Sequence, residues 1–194
     1  MTDVWIKHVT DFGPQAVINP QISLEAYHEI TRKQSIDIAE LVAKFADKSQ
    51  SVLDFGSGAG RFLPMLSALY GTAIGYEPCE IFFPFSPMTL NSKLPARQFD
   101  NVFCWLVLGD PDLDPQFVAD QIAFVLRPGG TLILGEHCEV WKQRHYRWRF
   151  RAPKYYQDLF RLRGVNTETI GQIDQLGNSV TVFAGLKDQL SEDQ

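Results

Sequence analysis

The chain has 194 residues, 45% of them hydrophobic and 21% charged, which predicts a single globular domain with a substantial core. Its formal net charge of −5 argues against a general nucleic-acid binder. The three widely spaced cysteines, the non-basic N-terminus and the short apolar runs predict a soluble cytoplasmic protein without a disulfide framework, a metal site, a signal peptide or a membrane span.

The N-terminal region is predicted to form a lid that leads into one long helix. Breakers such as Gly13 and Pro14 indicate an irregular segment over residues 1–22. Ser23 is a residue type that caps helix starts, and apolar residues recur at helical spacing over 24–47. The side chains of this region that could reach a ligand are Trp5, His8, Tyr27 and Arg32.

A strand-to-helix turn with a glycine at every second position follows. Alternating glycines let a ligand lie directly against the main chain, and amides at a helix start add donors. The third glycine comes one position too early for the dinucleotide fingerprint, and no Gly-Lys-Ser/Thr follows for a P-loop. The turn therefore predicts a site for a nucleotide-type cofactor. Its parts are the strand Ser51–Phe55 with Asp54, the turn Gly56–Gly60, and a helix from Arg61 to about Tyr70.

Three further segments lie at informative distances from this turn. A second apolar strand ends at Glu77, about seventeen residues after Gly60, where a carboxylate can accept bonds from both hydroxyls of a ribose. Residues 99–108 are predicted to form a strand with an apolar run from Val102 to Leu108, and Pro128-Gly129-Gly130 ends one predicted helix and turns into the next strand.

In this order, the segments resemble the motifs of the class I S-adenosylmethionine-dependent methyltransferases, in particular the small type 11-like ones. The matching patterns are V-L-D-x-G-x-G-x-G at 52–60, the acidic residue at 77, F-D-x-V at 99–102 and L-x-P-G-G-x-L at 126–132. The resemblance covers about residues 35–187. It implies a Rossmann-like α/β fold with about seven strands, the last one antiparallel, and an enzyme that uses S-adenosylmethionine and releases S-adenosylhomocysteine.

The resemblance also implies which residues hold the cofactor. It places the methionine portion near Asp54 and the glycine turn, the ribose on Glu77 and the adenine near Asn91. The family often has an acidic residue at the last position, but an Asn carbonyl can still accept a bond from the adenine amine. The implied cofactor residues are Asp54, Gly56, Ser57, Gly58, Gly60, Glu77, Asn91, Cys104 and Trp105.

The chain departs from the family between Glu77 and Phe99, where it is unusually short. Three prolines in this segment forbid a full helix, so we expect a shortened second helix and a third strand reduced to about 88–90. Phe82 and its aromatic neighbours are predicted to cover the shortened sheet edge, with adenine stacking as the alternative.

The C-terminal part is predicted to complete the sheet. Asp114-Pro115 starts a helix that continues to Leu126, and a second helix over 153–163 ends at Gly164. Residues 165–173 and 179–186 alternate as strands of an antiparallel hairpin.

Methyl transfer to a hydroxyl or an ammonium group needs an acceptor for the proton, and a neutral histidine suits this role at neutral pH. His137 is the first candidate for the catalytic base, because the fifth strand delivers it to the edge where ligands of parallel sheets bind. Glu136 is the second candidate, and Asp110 and His145 are further ones.

A basic and aromatic segment over 142–151 stands out in this acidic chain. In an extended conformation its arginines share one face and its aromatics the other. We predict that Arg147 and Arg149 bind an anionic acceptor, because guanidinium groups suit phosphate and carboxylate. The alternative is that the aromatics pack on the core while the arginines face water.

These observations leave three functions open. The first is methylation at oxygen or nitrogen of a small-molecule or glycan-type acceptor, an anionic one included, and a homodimer could complete its pocket. The alternatives are a non-catalytic binding or scaffold subunit and, as a minority interpretation, a nucleic-acid methylase. The expected parts of the single domain are an N-terminal lid and helix (1–48), a cofactor-binding core (49–136), an acceptor-side insertion (137–155) and a C-terminal helix and hairpin (156–187).

Overall fold

The computed structural model describes residues 3–96, 98–138 and 148–189. Within them, one seven-stranded sheet is covered by helices on both faces. The helices are α1 (Asp3–Phe12), α2 (Leu24–Val42), α3 (Leu63–Leu69), α4 (Pro115–Val125) and α5 (Pro153–Arg161). The strands are β1 (Ser51–Phe55), β2 (Thr72–Tyr76), β3 (Leu90–Asn91), β4 (Phe99–Trp105), β5 (Leu126–Glu136), β6 (Val165–Gln175) and β7 (Asn178–Lys187).

The sheet has the predicted Rossmann-like topology, with strand order β3-β2-β1-β4-β5-β7-β6. Strands β3, β2, β1, β4 and β5 pair in parallel, whereas β7 runs antiparallel to both β5 and β6. Chain order reverses beside β1, which is the switch point where ligands of open α/β sheets bind. The fold prediction is confirmed, including the antiparallel last strand.

Apolar side chains explain how the layers hold together. One buried cluster joins α4 and α5 to one face of the sheet through residues such as Ile122 and Phe160. A second cluster joins α2 and α3 to the other face through residues such as Ile38 and Leu66. Because both faces are sealed, the edge formed by the carboxyl ends of the parallel strands remains as the place for a site.

The short segment between β2 and β3 also follows the prediction. The second helix is reduced to a 3₁₀ segment over Glu80–Phe85 that contains Pro84. The third strand has only two residues, Leu90 and Asn91, and starts slightly later than predicted. Phe82 is 5% exposed and packs in a small cluster with Val9, as predicted, but it also lines the cavity described below, so stacking on a ligand remains the alternative.

The prediction of an irregular N-terminal segment over 1–22 is wrong for residues 3–12, which form α1. Gly13 and Pro14 end this helix instead of preventing it, because both lie after Phe12. Val9 is 1% exposed and lies in one buried cluster with Phe82, and α1 contacts the 3₁₀ segment that contains Phe82. This long-range contact, which is not visible in the local sequence, stabilises α1.

Several element boundaries differ from those predicted. The α2 helix ends at Val42 and continues as a 3₁₀ turn over Ala43–Phe45, so it stops short of Asp47. The α3 helix starts at Leu63 instead of Arg61, because the glycine turn extends further.

The predicted caps are present. Ser23 Oγ accepts a bond from Ala26 N at 3.1 Å, and Asp114 Oδ1 accepts one from Gln116 N at 3.0 Å. Gly164 follows α5 with a φ of +67°, as expected for a residue that ends a helix. In the part of the chain that the structure describes, no helix is long and apolar enough to cross a bilayer.

Candidate functional site

A cavity of about 500 Å³ lies at the carboxyl ends of β1, β2, β4 and β5. This volume is typical of small-molecule sites. Strands β1 and β2 supply one half of its wall, and the residues after β4 and β5 supply the other. The structure brings seven of the predicted cofactor and leading catalytic residues to this cavity, and these are Asp54, Gly56, Ser57, Gly58, Glu77, Trp105 and His137. The further candidate base Asp110 also lines it.

Asp54 is the most perturbed carboxylate at this cavity. It lies inside β1 and is 2% exposed. Burial raises the pKa of Asp54 to about 7; nearby Arg61 opposes this shift and nearby Glu77 adds to it. Its Oδ2 atom accepts no hydrogen bond from any residue that the structure describes. A buried carboxylate oxygen without a partner is costly, so Asp54 is suited to bind a cationic or hydrogen-bond-donating ligand.

Arg61 is a cavity residue that the sequence did not single out beyond its place at the helix start. Its Nη1 donates to Gln34 Oε1 at 2.6 Å, and Gln34 Nε2 donates to Gln175 Oε1 at 3.1 Å. Burial lowers the pKa of Arg61 to about 10, and the nearby Tyr27 and Asp54 oppose this shift. Arg61 is therefore a fixed cation beside Asp54, suited to bind a carboxylate.

One signal in the sequence could have revealed this arrangement. Gln34 falls on the apolar stripe of α2, four residues before Ile38, where a polar residue needs a buried partner. That partner proved to be Arg61, which follows the last glycine of the turn.

Several amides of the glycine turn, which were predicted to be open to a ligand, donate to carbonyl oxygens of the protein itself. The amides of Gly56 and Ser57 donate to Tyr76 O, and the amide of Gly60 donates to Ser57 O. A Cβ atom at Gly56 would lie 2.6 Å from Val107 Cγ2, and one at Gly60 would collide with Ser86 Oγ. Two of the three glycines are thus needed for close packing, and the turn can offer a ligand the Ser57 hydroxyl and carbonyl groups.

Glu77 immediately follows β2 and lines the cavity, with 7% of its surface exposed. Its Oε2 accepts from Gly58 N at 2.9 Å and its Oε1 accepts from Cys79 N at 2.8 Å. Burial raises the pKa of Glu77, and the two backbone bonds oppose this shift. The carboxylate is held rigidly, and each oxygen keeps a lone pair for a ligand hydroxyl.

Three predicted cofactor residues do not line the cavity. Gly60 packs against Ser86, since a Cβ atom at Gly60 would collide with Ser86 Oγ. Cys104 is fully buried in the core cluster under α4 and α5. Asn91 has an exposed side chain whose Nδ2 donates to Gly75 O at 3.2 Å. Their roles in binding the cofactor remain predictions from the resemblance.

Glu136, the second candidate base, lies beneath the loop after β4 and does not line the cavity. Its Oε1 accepts from Val107 N at 2.9 Å and from Leu108 N at 2.7 Å. Burial raises the pKa of Glu136 to about 8, although these backbone bonds and Arg151 oppose the shift. We infer that Glu136 positions this loop, in which Leu106 has a φ of +56°.

We therefore expect Glu136→Ala to lower the free energy of unfolding by ~2–4 kcal/mol, because two buried amides lose their acceptor. Glu136→Gln should be close to wild type in stability and methyl transfer, since its amide oxygen can still accept both bonds. Urea unfolding and a transfer assay of the two variants would test this. If Glu136→Gln folded normally but lost transfer, Glu136 would have to act as a proton carrier.

His137, the first candidate base, lines the cavity and is 1% exposed. Its Nδ1 lies 2.8 Å from Ser179 O. A carbonyl oxygen only accepts, so Nδ1 carries the hydrogen and Nε2 carries the lone pair of the neutral ring. Burial lowers the pKa of His137, and the bond to Ser179 opposes this shift. His137 is thus mostly neutral at pH 7.

Only part of the basic segment can be located. Arg147 and His145 lie outside the described residues. Arg149 donates its amide to Gly109 O at 2.7 Å, while its side chain is exposed and does not line the cavity. Arg151 Nη1 donates to Leu108 O at 2.8 Å, so this guanidinium does not simply face water. The binding of an anionic acceptor by Arg147 and Arg149 remains a prediction.

The two bonds from Arg149 and Arg151 fasten the segment over the loop after β4. They thereby place Trp148 in the cavity wall, where its ring meets His137 edge-on at a centroid distance of 6.2 Å. The N-terminal region adds His8, Val17 and Ile18 to the wall, whereas Tyr27 and Arg32 do not line it. Among the residues described, no three His, Cys, Asp or Glu side chains are grouped as a metal site.

Comparison with protein families gives one match, to a family described as "Methyltransferase domain", over residues 27–171. The matched range contains β1 to β5, the glycine turn and His137. The matched range makes up more than half of the chain. No curated protein matches the sequence.

Solved structures give the same fold at low sequence identity. Magnesium protoporphyrin IX methyltransferase of Synechocystis, with bound S-adenosylhomocysteine, superposes with a TM-score of 0.72 at 15% identity, covering 95% of this chain and 98% of that one. A possible histamine N-methyltransferase of Thermotoga maritima superposes with a TM-score of 0.60 at 21% identity, covering 84% and 94%. N-methyltransferase NodS of Bradyrhizobium japonicum gives 0.62 at 14%, covering 81% and 87%.

Proposed function

This chain belongs to the class I S-adenosylmethionine-dependent methyltransferases, and from that membership we propose that it methylates an oxygen or a nitrogen of a small-molecule or glycan-type acceptor. The observation that carries the proposal is the single cavity that joins Asp54 and Glu77 on one side to His137 on the other. One half has the groups that a cofactor needs, and the other has a neutral base.

The residues of the first half fit the cofactor chemically. Asp54 would accept from its ammonium group and Arg61 would bind its carboxylate. Glu77 would accept from the ribose hydroxyls through the lone pairs that the backbone amides leave available. The Asp54 oxygen that lacks a partner among the described residues supports this fit, because a buried ammonium donor would satisfy it.

The chemistry that S-adenosylmethionine supplies when bound is a methyl group on a positively charged sulfonium. The protein contributes position and exclusion of water. Val17 and Ile18 line the cavity from the N-terminal side, and the buried cluster that includes Val9 and Phe82 joins α1 to the 3₁₀ segment.

With S-adenosylmethionine bound, an acceptor oxygen or nitrogen that took the methyl group would have to give up its proton. His137 would take that proton at Nε2, and the bond from its Nδ1 to Ser179 O supports this role. Its lowered pKa keeps the ring unprotonated at neutral pH and therefore available.

Calorimetric titration with S-adenosylhomocysteine tests the cofactor half of the proposal. We expect binding in the micromolar range with one site per chain. Transfer of a radiolabelled methyl group to a panel of small phenols, amines and sugars then tests the reaction. Absence of binding at millimolar ligand would refute the proposed function.

For His137→Gln we expect kcat to fall by about two to three orders of magnitude, because the variant lacks a basic nitrogen. Its affinity for S-adenosylhomocysteine should stay within about twofold of wild type, since an unaltered cofactor half binds the ligand. Titration and the transfer assay would be run on the same preparation. Unchanged kcat in a folded variant would remove His137 from the mechanism.

A further inference from the structure

Two buried glutamines are linked to the guanidinium group of Arg61. Gln34 belongs to α2 and is 1% exposed, whereas Gln175 is the last residue of β6 and is 4% exposed. Arg61 Nη1 donates to Gln34 Oε1 at 2.6 Å, and Gln34 Nε2 donates to Gln175 Oε1 at 3.1 Å. These three side chains form one line of hydrogen bonds, here called the glutamine relay, that joins the glycine turn to α2 and to the β6–β7 hairpin.

The positive charge of Arg61 fixes the direction of the glutamine relay. A guanidinium group only donates, so the side-chain oxygen of Gln34 must face it and the side-chain nitrogen must point away. The oxygen of Gln175 then accepts from this nitrogen. Each buried amide therefore has a single orientation that satisfies the bonds of the relay.

Arg61 is held from two directions before a ligand arrives. The hairpin at the far end of the relay is itself fixed, since Gln175 lies in the strand paired with β7 and Ser179 O of β7 lies 2.8 Å from His137 Nδ1. On the other side, the guanidinium carbon of Arg61 lies 4.1 Å from the centre of the Phe62 ring, which is a cation–π distance. Arg61 therefore loses most of its side-chain freedom on folding and has little left to lose on binding.

The glutamine relay holds Arg61 without neutralising it. Glutamine side chains carry no charge, so their bonds restrict the guanidinium and leave its positive charge in place. Burial lowers the pKa of Arg61 to about 10, which is still far above neutral pH, so the side chain stays protonated. Arg61 and Gln175 line the cavity, whereas Gln34 does not.

We propose that Gln34 and Gln175 are positioning residues that make this protein selective for a cofactor with a carboxylate group. They act through Arg61, which they hold at the cavity wall so that its remaining N–H groups can bind the carboxylate. This inference rests on the proposed function, in which Arg61 binds that carboxylate. It adds that the strength of this binding depends on the two amides, because a preorganised donor group pays less entropy when the ligand binds.

Two ligands that differ only in the carboxylate test the proposal, namely S-adenosylhomocysteine and decarboxylated S-adenosylhomocysteine, which keeps the ammonium group. Calorimetric titration of both into the same preparation gives the ratio of their affinities, and a loss of folded protein affects both alike. For the wild-type protein we expect S-adenosylhomocysteine to bind at least about tenfold more tightly. Gln34→Leu should lose most of this preference and still bind the decarboxylated ligand as wild type does.

Further variants keep the test decisive if Gln34→Leu does not fold. Gln34→Glu retains an acceptor for Arg61 but adds a negative charge that competes with the ligand carboxylate, so it should also lose the preference. Gln175→Leu removes only the outer bond of the relay, and we expect the preference to fall by about threefold. The matched control is Asn101→Leu, which breaks another buried amide pair outside the cavity, Asn101 Nδ2 with Gln50 Oε1 at 2.9 Å. This control should lower the melting temperature and leave the preference unchanged.

A double variant tests whether the glutamines act through Arg61. Arg61→Met should show no preference for the carboxylate, and adding Gln34→Leu to it should change nothing further. A preference that survives in both Gln34→Leu and Gln34→Glu would overturn the inference, and so would an equal loss in Asn101→Leu.

Failure of the two proposals can be told apart in the same titrations. If neither ligand binds to the wild-type protein, the proposed function fails and the role of the glutamine relay fails with it. If both ligands bind and the preference is absent or does not depend on Gln34, only the role of the glutamine relay fails.

Discussion

Replacing Glu77 by alanine is expected to weaken the binding of S-adenosylhomocysteine by at least about a hundredfold. The variant loses both acceptors for the ribose hydroxyls, and hydrogen bonds to charged groups are each worth about 1.5–3 kcal/mol. It also leaves the amides of Gly58 and Cys79 without their acceptor, so the glycine turn loses its support. Calorimetric titration at pH 7.5 measures the effect.

Two further variants separate binding from folding. Glu77→Gln keeps one acceptor oxygen and the shape of the side chain, and we expect a loss of about tenfold. Glu80→Gln removes a charge from an exposed side chain outside the cavity and should bind as wild type does. A folded Glu77→Ala protein with unchanged affinity would refute the assignment of Glu77, and a lowered melting temperature alone would indicate a purely structural role.

The second large effect is a dependence of cofactor affinity on pH that is due to Asp54. With a pKa of about 7 in the free protein, about one Asp54 in eleven is ionised at pH 6 and about ten in eleven at pH 8. A ligand ammonium group prefers the ionised form. We therefore expect S-adenosylhomocysteine to bind about tenfold more tightly at pH 8 than at pH 6.

The variant Asp54→Asn should bind weakly and with little change between these pH values. It keeps the shape of the residue but cannot ionise, so it isolates the contribution of Asp54 from that of His137. Titrations of both proteins at several pH values give the comparison. A pH dependence of the same size in Asp54→Asn would show that another group is responsible.

The free protein should show the opposite trend in stability. Burial raises the pKa of Asp54 from 3.8 to about 7, so folding takes up a proton between these values. The contribution of protonated Asp54 to stability is full below about pH 4 and is lost as the pH rises through about 7. Unfolding measurements without ligand should therefore show Asp54→Asn gaining stability relative to wild type as the pH rises from 5 to 8.

The order of motifs predicted the fold because each motif depends on local chemistry. Glycines with positive φ, a proline-rich break and helix caps restrict the backbone within a few residues, whatever surrounds them. The prediction of an irregular segment was wrong for residues 3–12, because the helix there depends on long-range packing and not on local chemistry. The α1 helix is stabilised by packing on the 3₁₀ segment, in a buried cluster that contains Val9 and Phe82, and the distance between these residues in the sequence hides this packing.

The residues of the candidate site also fall into two groups, those predicted from local motifs and those that depend on long-range contacts. Asp54, Glu77 and His137 were predicted because each ends or follows a parallel strand, and such positions meet at one edge of the sheet. Gln34 and Arg61 were missed because their contact joins α2 to the glycine turn. Glu136 and His137 are adjacent in sequence, but neighbouring side chains of an extended chain point to opposite sides. Glu136 therefore lies beneath the loop after β4, whereas His137 lines the cavity.

The sequence by itself therefore determined the class of fold and the family, and it predicted that Asp54, the glycine turn and Glu77 meet at one edge of the sheet, since these follow from short motifs with fixed spacing. Only the tertiary structure decided how the basic and aromatic segment meets the cavity. The arginines at 149 and 151 have the same charge, but one is exposed and the other bonds Leu108 O and helps to hold Trp148 over Gly109. Which side of an extended segment faces the cavity depends on the surface on which the segment packs. Residues elsewhere in the chain form that surface, so the sequence of the segment alone does not predict the orientation.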